Sequence, residues 1–222
     1  MSGLVSRLGR VFYAPTGLME ELRESPRWFG PVILGAGILL LASLLIPVEM
    51  MVEAARIQQI RAGNEAPENV GRMVEIMRTV SLVATPVFWF VWTFFLAGVV
   101  TVVFAFLFGD EGSFRQYLAV VAHAGFVGAV GALLTTPLRI QAQDLYLTLS
   151  VGTFAQGFMP EGYWLRVLQA LDLFGIWTYG LVALGASVLD KRRRWLGAFV
   201  AMMVFGLGIA MCYIDELLRR GL

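Results

Sequence analysis

The sequence predicts an all-α polytopic membrane protein: a bundle of five transmembrane helices with an N-terminal amphipathic interfacial helix. Three observations carry this. Of 222 residues, 58% are hydrophobic and only 15% charged, against ~45–50% and about 25% in soluble domains. The apolar residues fall in runs longer than a buried core helix needs. The basic residues cluster at the ends of those runs, as topology signals do. A soluble enzyme, a nucleic-acid-binding module and a disordered adaptor are thereby excluded, and a formal net charge of +1 points to no polyanionic partner. The single Cys212 excludes an internal disulfide, and the single His123 excludes bis-His haem ligation and argues against a His-rich zinc site.

The first segment, residues 1–24, is amphipathic and does not have the form of a cleaved signal peptide, because it carries Glu20, Glu21 and Glu24. At the helical period Leu4, Val5, Leu8, Val11 and Phe12 share an arc of about 120°, with Arg7 and Arg10 pointing away. That is the pattern of a basic helix lying in a membrane surface. Pro15-Thr16-Gly17 breaks it, and a second short helix carries Leu18, Met19 and Leu22. Ser25-Pro26 then supplies an N-cap and a first-turn proline for the first span.

The five spans lie at about 28–51, 80–108, 117–136, 167–189 and 195–214. Pro47 kinks the first near its far end, and its helix runs on to Gly63-Asn64. The second holds 29 residues, about 43 Å of helix against a ~30 Å hydrocarbon core, so it tilts or protrudes. Trp28, Trp164 and Trp195 stand at the boundaries, where indole rings favour the headgroup zone. With the N-terminus inside, nine basic residues fall inside and eight outside. The turn Lys191-Arg192-Arg193-Arg194 weighs most, which places the N-terminus in the cytoplasm and the C-terminus outside. Between spans 3 and 4, residues 138–163 alternate Leu145, Leu147, Leu149 and Val151 with polar positions in a strand-like period. An isolated strand cannot sit in lipid, so a loop or short helix on the outer interface is expected. No repeat or low-complexity tract divides the chain, so residues 1–222 form one domain.

Few polar residues lie within the spans. Asp172, about five residues inside span 4, must face protein or water. It reads either as a proton- or cation-responsive carboxylate or, preferably, as a structural hydrogen-bond acceptor with Arg139, just outside span 3, as its partner. Gly175, Tyr179, Ala183 and Ala186 share its side, and Trp177 faces lipid or another bulky surface. Span 3 has a small-residue face containing Gly125, Gly128 and Gly131. Small residues let helices approach closely, so spans 3 and 4 are expected to be neighbours, small side to small side, with a homodimer seam as the alternative. His123 lies on the opposite face of span 3, at a depth that keeps it from Asp172, and is expected to be packed or snorkelling. The Lys191–Arg194 turn is either an anionic-headgroup site or a topology determinant. Gly109-Asp110-Glu111-Gly112 lacks the following Lys-Ser/Thr of a phosphate loop and carries repelling carboxylates. No nucleophile, base and oxyanion constellation exists, and no cofactor or metal is expected.

Three stretches resemble one family in order. VFYAPTGLMEELRESPRWFGPVIL, FGDEGSFRQYLAVVAHA and LQALDLFGIWTYGLVALG are similar to the opening, the loop between spans 2 and 3, and the fourth span of the Yip domain family, the Ypt/Rab-interacting membrane proteins, in its bacterial branch. The resemblance implies a Yip-type membrane domain with five spans and a cytoplasmic N-terminus, in a bacterial inner membrane. The Asp-Leu-Tyr-Gly-Pro motif and long polar N-terminal arm of eukaryotic members are missing, so Rab GTPase binding is not carried over. The expected function is non-enzymatic: organising a membrane region or protein assembly, with membrane lipids, other membrane proteins or a second copy as partners. A small transporter or channel using Asp172 is the alternative.

Overall fold

The computed structural model describes residues 3–189 except Ala62, Ala66, Phe108, Asp110 and Glu161. The predicted fifth span with Trp195 and Cys212, and the Lys191–Arg194 turn, lie outside the described residues.

Within them the fold is all-α. Helices α1 (Leu4–Tyr13) and α2 (Pro15–Glu24) meet at Ala14, where Pro15 occupies the first turn of α2. A proline there loses no helical hydrogen bond. Helix α3 (Phe29–Leu45) ends at Ile46, which is extended as a residue before proline must be, and α4 (Val48–Arg61) leaves at 78°. The expected kink at Pro47 is therefore a change of direction that takes α4 off the axis of α3. Helix α4 stops where the sequence suggests. Gly63 is left-handed (φ +77°), its N–H donates to the Ile60 carbonyl at 3.0 Å, and Asn64 N–H donates to that of Gln59 at 3.0 Å. This is a Schellman closure.

Helix α5 (Val70–Thr101) begins ten residues before the predicted span and runs through Pro86 into a π-helical turn, Val102–Leu107. That turn carries Phe104, fully buried and stacked on Tyr117 at 5.9 Å between ring centres. Helix α6 (Phe114–Ala142) opens on a capping box. Ser113 N–H donates to Gln116 Oε1 at 2.8 Å, and Gln116 N–H donates to the Ser113 hydroxyl at 3.4 Å. The Gln116 amide also donates to the Arg23 carbonyl at 2.7 Å, tying the start of α6 to the end of α2. Short helices α7 (Val151–Ala155) and α8 (Tyr163–Ala170) precede α9 (Leu173–Leu189).

Among the described residues, two helices are long and apolar enough to cross a membrane, Val70–Phe106 and Phe114–Ala142, with a third if α3 and α4 count as one broken span. The fourth predicted span is not continuous: α8 ends at Ala170 and α9 begins at Leu173. The strand-like alternation before α7 survives as one antiparallel bridge, Ser150 with Asp172. Leu173 N–H donates to the Leu149 carbonyl at 2.9 Å and Val151 N–H to that of Leu171 at 3.2 Å. The backbone freed at the helix break thus finds partners in the segment that alternates.

Helix α6 is the hub and packs on α3, α5 and α9 as well as on α1 and α2. In its most apolar stretch 67% is buried, against 22% in that of α5. The N-terminal segment departs from expectation. Of the α1 face predicted to lie in the bilayer, Leu8 and Val11 are covered by protein, and Val11 joins Leu18, Met19 and Leu22 of α2, all fully buried, in one core with α6 and α9. Val5, Phe12 and Tyr13 remain exposed. An amphipathic helix needs an apolar neighbour, and here the bundle supplies part of it.

Candidate functional site

Docking α1 and α2 onto α6 turns the basic face of α1 inward. Arg7 and Arg10 are one turn apart on α1, and Glu21 projects from α2 towards both. Arg10 Nη1 lies 2.5 Å from Glu21 Oε2, while Arg7 Nε is 4.0 Å from Glu21 Oε1, beyond hydrogen-bond reach. Arg7 is 4% exposed, and its Nε and Nη1 have no hydrogen-bond partner. On α6, which packs against both α1 and α2, His123 is fully buried. Its Nδ1 is 2.8 Å from the Ala119 carbonyl, and its Nε2 has no partner. A buried, under-satisfied polar cluster therefore sits where three helices meet. Buried polar atoms are ordinarily paired, so unpaired ones mark a site to explain.

The sequence does not announce this cluster. A helical wheel points Arg7 and Arg10 away from the apolar face, towards water, and places His123 on a packed or snorkelling face. The charge pattern contains the signal in part, since Glu21 is the only acid of residues 18–22 besides Glu20. Nothing local, however, states that α2 folds back beside α1.

Asp172 stands at the break before α9, not within a continuous helix. Its Oδ1 accepts from Gly175 N–H at 2.9 Å, which is N-capping geometry. Arg139 Nε donates to the Leu147 carbonyl at 2.9 Å, so the expected Asp172–Arg139 pair is not formed. Helices α6 and α9 are neighbours, but their glycines do not face each other. A Cβ on Gly131 would collide with the Phe174 side chain, and one on Gly128 would touch Thr178 Oγ1 at 3.5 Å. Gly125 turns to α5, where Trp89 would meet its Cβ at 3.0 Å, and a Cβ on Gly175 meets only Asp172. The seam is small against large at Gly131 and small against small at Gly128. Trp177 is 42% exposed and packs on Phe12 of α1, with ring centres 6.2 Å apart.

Two recesses stand out. One, of about 740 Å³, lies between α4 and residues 143–169 and is lined by Gln58, Gln143, Gln156 and Gln169, with Gln58 donating to the Tyr146 hydroxyl. The other, of about 420 Å³, lies at the start of α3 and is lined by Leu4, Arg7 and Arg115 with the segment 26–31. Among the described residues, no group of three or more His, Cys, Asp or Glu is placed to hold a metal ion.

The Yip1 domain family matches residues 9–214 of the chain. The membrane protein YknW of Bacillus subtilis (strain 168) is 21% identical over 221 residues, covering 94% of this chain and 89% of that protein. No solved structure matches the chain significantly.

Proposed function

The chain belongs to the Yip1 domain family of membrane proteins, and from that premise we propose that it is a non-enzymatic, multi-pass protein that organises a membrane region or a protein assembly through its helix surfaces. The observation that carries this reading is the asymmetry between α5 and α6. Helix α6 spends its surface on the chain's own helices, whereas α5 keeps a long apolar face outward. Val80, Val83, Val87, Val91 and Phe95 are between 58% and 69% exposed. Phe88 and Trp92, also on α5, stack at 6.1 Å. Such a face is available to lipid and to a partner helix alike. The proposed topology has the N-terminus in the cytoplasm of a bacterial inner membrane.

Transport through Asp172 draws no support from the geometry, because its carboxylate is engaged in capping α9. Extraction in native lipid nanodiscs, followed by mass spectrometry of the co-eluting species, tests the proposal. A membrane protein or second copy retained at fixed stoichiometry, and lost when Phe88 and Trp92 are replaced by leucine, is the expected result. A proton or cation flux in proteoliposomes that Asp172→Asn abolishes would overturn it.

A further inference from the structure

The recess at the start of α3 joins three features that are separate in the sequence. Its lining includes three arginines: Arg7 from α1, Arg27 from the linker before α3 and Arg115 from the first turn of α6. Arg27 and Arg115 are exposed at the rim, while Arg7 is buried with two nitrogens lacking hydrogen-bond partners. Its floor includes Phe29 and Gly30, the first residues of a 17-residue helix whose N-cap, Trp28, provides no side-chain acceptor. The first-turn donors at this end are the N–H groups of Phe29 and Gly30, since Pro31 has none; the N-cap side chain does not satisfy them, and the positive end of the helix dipole borders the same recess as the arginines. Oriented N–H groups and guanidinium forks are the donors that recognise phosphate oxygens. A Cβ on Gly30 would meet Leu4 Cδ1 at 2.7 Å, so the glycine lets α1 close over this end of α3.

We propose that this recess binds a phosphate group through Arg7, Arg27, Arg115 and the start of α3. The sources of that chemistry are an anionic phospholipid headgroup and free phosphate. The surroundings favour the lipid. Trp28 packs edge-on against Phe94 at 5.2 Å and Phe29 at 5.6 Å, and Phe29 is 58% exposed beside the opening. Aromatic groups of this kind mark the headgroup level of a bilayer.

The test uses the full chain purified in detergent, with native mass spectrometry of retained lipid after titration with phosphatidylglycerol or phosphatidylcholine. Because Arg7→Gln removes a buried side chain and can disturb folding, the exposed Arg27→Gln and Arg115→Gln carry the experiment, with Lys191–Arg194 left intact. The wild type is expected to retain phosphatidylglycerol in preference to phosphatidylcholine. Each substitution weakens that binding about fivefold, and the pair weakens it by roughly 25-fold. In a second arm inorganic phosphate replaces lipid and thermal unfolding is followed. A stabilisation by phosphate that the double variant loses assigns the site to free phosphate; selective lipid retention without it assigns the site to the headgroup. If the wild type shows neither lipid preference nor phosphate stabilisation, or if the double variant binds both probes as the wild type does, the proposal is overturned.

Discussion

At Asp172 the sequence leaves two chemical roles open, and the cap geometry makes them separable. Asparagine keeps a side-chain oxygen for Gly175 N–H, whereas alanine does not. Asp172→Asn is therefore expected to unfold within a few tenths of a kcal/mol of the wild type, and Asp172→Ala to lose about 0.5–2 kcal/mol. Equal losses for both, measured by denaturant titration in detergent, would show that charge matters and not the cap. Glycine positions divide as sharply. Gly131→Ala pushes a methyl group into Phe174 and is expected to cost about 1–3 kcal/mol. Gly37→Ala meets nothing within 4 Å on the exposed side of α3 and is expected to be neutral or stabilising by up to about 1 kcal/mol. Helical-wheel reasoning puts Gly131 on a small face correctly, yet a wheel does not name the residue opposite.

The element that most changes the topology is the break at Pro47. Its ring and missing N–H end α3, and Ile46 takes the extended conformation that turns α4 away. Pro47→Ala restores a donor and is expected to straighten the pair. Spin labels at exposed Leu41 and Ile57, with Cys212 replaced by serine, report this by electron–electron double resonance. Their separation should lengthen towards the ~24 Å of sixteen helical residues. An unchanged distance would assign the bend to the contacts between α4 and α5 rather than to the proline. The opposite case is the break at Leu171-Asp172, where no proline or glycine announces an end. There the pairing with Leu149 and Val151 competes for the backbone, and local sequence contains no such information.

For the molecule as a whole, the question is what the N-terminal hairpin does. If α1 and α2 merely lay on a membrane, removing residues 1–24 would leave the bundle intact. With Val11, Leu18, Met19 and Leu22 fully buried against α6 and α9, truncation should lower stability in detergent by about 5 kcal/mol or more. A melting curve that does not move would return the hairpin to the membrane surface. The same docking pairs Arg7 and Arg10 with Glu21, so the truncated chain also loses that ion-pair cluster and one side of the arginine-lined recess.

The sequence by itself determined the solvent, the helical class, the end of α4 at Gly63, the turn at Pro47 and the family resemblance. Each depends on composition, on a few neighbouring residues or on an ordered set of short stretches. The tertiary structure alone decided that α6 is the hub, that the amphipathic N-terminus is folded against the bundle, and that Arg7, Arg27 and Arg115 share one recess. An apolar helix face is satisfied by lipid, by another chain or by its own bundle, and its periodicity is the same in all three cases. Only the long-range packing of the helices distinguishes them.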